Sequence, residues 1–317
     1  MTAQEYINSE LERLKKSAGL SVPNDAQLEN EIARLILYKK FRKYSANKAA
    51  IDHIRNTVHL AVSRNEPIKF VFPHGGYKLW RLDEAPVADF AELFTFMYYT
   101  DWLKPICEVY NPGVWFEFFV DDLILLKMNN LERSEIEEYC KSEQELLDFI
   151  KQYQPTNIKM TMTRCSSLFN SEKNFWNALD DAVLKMPMSA LDEETRARIK
   201  RNVRPVDNMP YDWCEKNWHL HCAYFSLPQT VAYLDDNIET IKESMIGGWH
   251  PTAITTGSTK NSIMKFWVGV GVLKPKYDSF EMAILSENQL AKTKFRFEPI
   301  KIKGLGHKNF SRIRIIE

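Results

Sequence analysis

Over residues 1–64 apolar side chains recur every three to four positions, the repeat of helices that bury one face. Thr2 is placed to cap the first helix. Leu28 to Phe41 form an amphipathic stretch, and Ile51, Ile54, Val58 and Val62 mark a third helix from about Ser45. At "PIKFVFP" the pattern changes to a short apolar run closed by Pro73, which predicts a buried strand. From Ala88 the spacing of Phe90, Leu93, Phe94, Met97 and Leu103 predicts a helix again. After Pro112 and Gly113, "VWFEFFV" and "LILLKM" flank Asp121 and Asp122. This reads either as two strands about a tight turn or as one strand broken by an acidic pair, and both versions put the carboxylates at a strand end. Ser134 opens a Glu-rich helix, and "NIKMTM" predicts a strand leading into Arg164. The order to this point is β-α-β-β-α-β.

The segment 171–236 reads mostly as helix, interrupted near Pro205 and Pro210, with the charges of residues 192–201 forming a solvated face. Strands are predicted at "IMKFWVGVGVL", from Phe280 to Leu285, and in an extended stretch from Lys294 to Lys303. Alternating strands and helices predict an α/β sheet with helices on its faces, and the adjacent late strands predict that part of it is antiparallel. The organisation expected is a helical segment over 1–64 packed on a core formed by 65–317, with a helical insertion at about 171–236.

Charge narrows the function. Lys plus Arg and Asp plus Glu stand at 42 each, so no global field recruits nucleic acid or an acidic membrane, and an anionic ligand needs a local cluster. The five cysteines are scattered and never spaced C-x-x-C, a pattern of reduced thiols rather than of disulfides or structural zinc. The N-terminal residues lack the apolar core of a signal peptide, and no uninterrupted apolar run reaches membrane-spanning length. A cytoplasmic protein that binds neither nucleic acid nor membrane is expected. Eight Trp and an aromatic content of 12% fit either aromatic surface or a Trp-rich core.

Two glycine-containing segments carry the parts of an anion site. In "FPHGGYKLWR", Gly75 and Gly76 let backbone N–H groups approach a ligand, and Lys78 and Arg81 supply positive charge; a structural turn would use the same residues. In "HPTAITTGSTK", His250, Ser258 and Lys260 stand among small hydroxyl residues, as in an anion nest or a plain polar loop. Asp89 and Glu92 lie three apart at a helix start, where they either complement the helix dipole or bind an ammonium and serve as base. Asp121 and Asp122 form a possible acidic site for Mg²⁺, although adjacent residues on extended backbone face opposite ways, which leaves one of them to turn chemistry. His219 and His221, at i and i+2 in a helical pattern, do not share a face for zinc. Neither H-E-x-x-H nor G-x-S-x-G occurs.

The succession "FPHGGYK", "PVADFAE", "VYNPGV" and the acidic "VDD" resembles the isocyanide synthase family, which includes bacterial isonitrile synthases and fungal dityrosine spore-wall enzymes. Lys78, Asp89, Glu92, Pro112, Gly113 and Asp121 occupy the positions of that family's loop lysine, helix-start acids, turn and post-strand acid. The chain departs from the family at Gly75 and Gly76, at the two residues between Pro86 and Asp89, and in Asp121-Asp122 where the family carries S-D-G. The resemblance implies a Rossmann-like fold with a mixed sheet. It also implies condensation of an amino-acid amine with a sugar phosphate, ribulose 5-phosphate, to build an isonitrile without a cofactor or metal. Lys78, Asp89 and Glu92 would then be catalytic, with Gly75, Gly76, Arg81, His250, Ser258 and Lys260 on the substrates.

Two other readings use the same residues. One is a nucleotidyl- or glycosyl-transferase with Mg²⁺ at Asp121 or Asp122. The other is a non-catalytic RNA- or protein-binding module using the N-terminal helices and exposed aromatics, for which composition offers little. The sequence leaves open whether those helices pair between copies in a homo-oligomer.

Overall fold

A computed structural model describes residues 3–41, 46, 48–74, 88, 90–128, 131–185, 254–255, 295–300 and 310–315. The N-terminal region is helical as expected: α1 (Ala3–Lys15), α2 (Asp25–Ile36), a short 3₁₀ turn at Lys39–Phe41, and α3 (Lys48–Arg64). Asn24 caps α2 by accepting from the Gln27 N–H at 3.1 Å. Thr2 lies outside the described residues.

Strands β1 (Ile68–His74), β2 (Val114–Val120), β3 (Ile158–Arg164) and the two-residue β4 (Ile254–Thr255) pair in the order β3-β2-β1-β4, all parallel. Helix α4 (Phe90–Val109) connects β1 to β2. Helices α5 (Asp122–Met128) and α6 (Arg133–Ile150) connect β2 to β3, and α7 (Glu172–Lys185) follows β3. A separate antiparallel ladder joins β5 (Phe295–Ile300) to β6 (Phe310–Ile315). The α/β architecture is therefore observed. Among the described residues the main sheet is parallel rather than mixed, and the late antiparallel pairing falls in the β5–β6 ladder.

Three sequence expectations are corrected. "LILLKM" is helix α5, not a strand, because a short run of consecutive apolar residues, here 123–126, satisfies a buried helical turn as well as a buried strand. The order is thus β-α-β-α-α-β. Pro73 does not end β1: it pairs with Phe119, past the two residues that face β4, so its missing N–H falls where β1 has a described neighbour on one side only. Helix α6 begins at Arg133, since the Glu132 N–H donates to Glu135 Oε2 at 2.8 Å and makes Glu132 the cap in place of Ser134. The predicted strands at "IMKFWVGVGVL" and 280–285, and the predicted helix beyond Lys185, lie outside the described residues.

Strand alternation divides the core. Phe70, Phe72, Phe116 and Phe118 share one face with Met160 and pack under α1 to α4, while Val71 and Phe119 face α5, α7 and the first half of α6. The first face is aromatic: Phe70 meets Trp102 at 5.0 Å, Tyr99 meets Phe116 at 4.3 Å, and Phe96 meets Phe118 at 5.0 Å between ring centres. Phe96, Tyr99, Leu103 and Ile106 form the helical stripe of α4, all buried. Trp102, Tyr98, Tyr99, Tyr110 and Tyr139 thus serve the core. Trp102 and Tyr98 also donate to the carbonyls of Ile36 and Phe41, fastening α4 to the N-terminal layer. The buried Lys104 ammonium donates to the carbonyls of Leu14 and Lys16, meeting the C-terminus of α1 with a cation, and burial lowers its pKa.

The turn between α4 and β2 is set by Gly113. Its φ of +72° is left-handed, and Asn157 packs against it while the Asn157 side-chain amide donates to the carbonyls of Cys107 and Tyr110 at 2.9 and 3.2 Å. No described helix is long and apolar enough to cross a membrane.

Candidate functional site

Parallel pairing brings the carboxyl ends of three strands level. His74, Val120 and Arg164 lie side by side in register at the ends of β1, β2 and β3. Strand order reverses at β1, with β2 and β3 to one side and β4 to the other. In open parallel sheets a ligand crevice lies beyond the carboxyl ends at such a reversal.

The predicted site residues are set by the sequence around those strand ends. Gly75, Gly76, Lys78 and Arg81 follow directly on β1, and Ser258 and Lys260 follow closely on β4, its neighbour across the reversal. His250 precedes β4, and Asp89 immediately precedes α4. These eight residues lie outside the described ones, as do His219 and His221; the strands that lead into the two glycine segments are adjacent and parallel.

Glu92, in the first turn of α4, is described. It is only 2% exposed, an uncommon state for a carboxylate at a helix start. The Tyr139 hydroxyl, from α6, donates to Glu92 Oε1 at 3.2 Å. Tyr139 is completely enclosed. Burial, followed by the charges of Glu92 and Glu143, holds its pKa well above the usual tyrosine value, so it remains a neutral donor. One turn along α6, Glu143 is wholly buried. Between them Ser142 Oγ accepts from the Ala88 N–H at 2.8 Å and donates to the Tyr139 carbonyl at 2.9 Å.

Asp121 and Asp122 stand where the sequence placed them, at the end of β2, and their environments differ. Asp122 is 1% exposed. Its Oδ2 accepts from Arg164 Nε at 2.9 Å and from the Ser166 hydroxyl, and its Oδ1 accepts from the Ser166 N–H at 2.9 Å. Arg164 grips Glu137 of α6 with two further bonds of 2.7 and 2.6 Å, and those bonds pull the Glu137 pKa below the ordinary value. Asp122 is therefore the structural member of the pair, tying β2, β3 and α6 together. Asp121 is buried beside it. Replacing Asp122 with Ala would leave Arg164 paired with Glu137 but remove its Nε bond and leave the Ser166 N–H without its acceptor, and the expected loss is about 2–3 kcal/mol. Urea unfolding measures it; an unchanged midpoint would show that the network contributes nothing.

The described thiols do not read as nucleophiles. Burial pushes Cys107 and Cys140 up to about 12, and Cys165 is also enclosed. Among the described residues no three His, Cys, Asp or Glu side chains gather as a metal site. Tyr139, Ser142, Glu143 and the Arg164–Glu137 pair were not legible as site residues. Tyr139 is 47 positions from Glu92, and only the packing of α6 on α4 joins them.

No family model matches the chain, and no curated protein matches it. Solved structures offer likenesses at low identity. A CDPS from Fluoribacter dumoffii is 16% identical, over 59% of this chain and 87% of that one, with a TM-score of 0.24. Tyrosyl-tRNA synthetase from Leishmania major, in complex with tyrosinol, is 12% identical, over 72% of this chain and 31% of that one, with a TM-score of 0.39. The chain is also similar to the PvcA protein from Pseudomonas aeruginosa, at 16% identity over 91% of this chain and 99% of that one, with a TM-score of 0.48.

Proposed function

We propose that the chain is a biosynthetic enzyme of the isonitrile synthase kind, condensing an amino-acid-type amine with a sugar phosphate such as ribulose 5-phosphate. The observation that carries this reading is the buried Glu92 carboxylate in the first turn of α4, a helix that starts on the carboxyl-end side of the sheet, since Phe96 meets Phe118 and Trp102 meets Phe70. In this reading the fold is Rossmann-like, with 1–64 as a helical layer on a catalytic domain of 65–317.

The roles follow from charge and position. In this reading backbone N–H groups of Gly75 and Gly76, with Lys78, Arg81, His250, Ser258 and Lys260, bind the phosphate or carboxylate. Lys78 is assigned here to polarise the sugar carbonyl. Asp89 and Glu92 receive the substrate ammonium and accept its proton, so that the free amine adds to the carbonyl and water leaves. The engagement of both Asp122 oxygens by Arg164 and Ser166 favours this assignment over a Mg²⁺-dependent transferase centred on that residue.

The test is incubation of the purified chain with amino-acid pools and uniformly ¹³C-labelled ribulose 5-phosphate, followed by mass spectrometry. A product carrying a single labelled isonitrile carbon, formed undiminished in EDTA, is the expected result. Activity lost in EDTA and restored by Mg²⁺ would favour the transferase. No labelled product, together with no heat stabilisation by the sugar phosphate, removes the proposal.

A further inference from the structure

We infer that Tyr139 is a positioning residue for Glu92 and that Ser142 shares the task, so that one turn of α6 sets the geometry of the acidic start of α4. The inference rests on the reading of Glu92 as the proton-accepting carboxylate.

The two contacts bracket the segment that matters. Tyr139 and Ser142 lie three apart on α6 and so project from one side of it. Tyr139 donates to the Glu92 carboxylate at 3.2 Å, and Ser142 accepts from the backbone N–H of Ala88 at 2.8 Å. In the sequence Asp89 stands between the two anchored residues, Ala88 and Glu92. The chemistry of each contact suits the task. A completely buried phenol that keeps its proton can donate to Oε1 of an ionised Glu92, which orients the carboxylate without bringing a positive charge beside it.

A filler role is the weaker account. An enclosed carboxylate and phenol are costly to desolvate, and an apolar pair of the same shape would pack there at least as well. Hydrogen-bonded polar groups in such a place define an orientation, and a proton acceptor requires its orientation set to within a fraction of an ångström. Glu143 and Cys140 are the other titratable groups that α6 presents around Tyr139.

The experiment reads the carboxylate directly. Protein labelled with [5-¹³C]glutamate is compared as wild type, Tyr139→Phe and Ser142→Ala, with the Glu92 resonance identified by its absence in Glu92→Gln. Loss of the phenol donor is expected to move the Glu92 resonance beyond its linewidth. It is also expected to lower kcat about tenfold or more, with KM for ribulose 5-phosphate unchanged. An unmoved resonance overturns the inference whatever the activity. A moved resonance with unchanged kcat makes the contact structural and overturns it equally. Should Tyr139→Phe fail to fold, Ser142→Ala carries the same readouts through the Ala88 anchor. If the wild type forms no isonitrile while the resonance still moves, the reading of the reaction fails and the orienting contact stands.

Discussion

Glu92→Gln will stop product formation in a protein that still folds. Gln keeps the shape of Glu92 and an oxygen able to accept from the Tyr139 hydroxyl, so the α4–α6 contact described at 3.2 Å survives the change. What is lost is a group able to take a proton. Loss of a general base lowers turnover by about 10²–10⁴-fold, and the labelled-sugar mass assay resolves a change of that size. Circular dichroism and a thermal melt alongside it establish that the fold is intact. Turnover within a few-fold of wild type would exclude Glu92 as the base, and the role would pass to Asp89.

Gly113→Ala is expected to have the largest effect on stability. A Cβ built at Gly113 lies 2.0 Å from the Asn157 carbonyl oxygen, a backbone atom that cannot swing aside, and φ is +72°. The same junction is bound on both sides. The Ile68 N–H donates to the Gly113 carbonyl and the Val114 N–H to the Asn157 carbonyl, each at 3.0 Å, so relief of the clash would shift the starts of β1, β2 and β3 together. The left-handed conformation alone costs an alanine roughly 1–2 kcal/mol. With the clash, the total is expected to exceed about 4 kcal/mol. Gly19 provides the control, for its φ is +67° but nothing lies within 4 Å of an added Cβ. Gly19→Ala should show the conformational term alone. If the two variants melt together, the close approach at Gly113 is not what the geometry indicates.

That junction bears on the resemblance to isocyanide synthases. "VYNPGV" is among the stretches that carry it, and here Tyr110, Gly113 and Val114 have mechanical duties. Tyr110 Oη donates to the carbonyls of Ala61 and Glu66, and Gly113 makes the turn. Such a motif is a signature of how α4 hands over to β2. The acidic pair divides in the same way, with Asp122 spent on Arg164 and Ser166 and Asp121 remaining beside it at the strand end. The part of the resemblance that speaks to chemistry is therefore concentrated in Lys78, Asp89 and Glu92.

Periodicity and local chemistry were enough for the three N-terminal helices, for β1, β2 and β3, and for the acidic strand end, because each leaves its mark within a window of a few residues. Local signal was ambiguous at "LILLKM", where consecutive apolar residues, 123–125 of them buried, erase the alternation that separates strand from helix. It was misleading at Pro73, whose tolerance in a strand depends on what pairs beside it. The alignment of the three strand ends, the reversal of strand order at β1, the enclosure of Glu92 and its partner Tyr139 were decided by the tertiary structure alone. Each is a relation between segments tens of residues apart, and the free energy that sets it arises from packing helices on a sheet, which no short stretch of sequence contains.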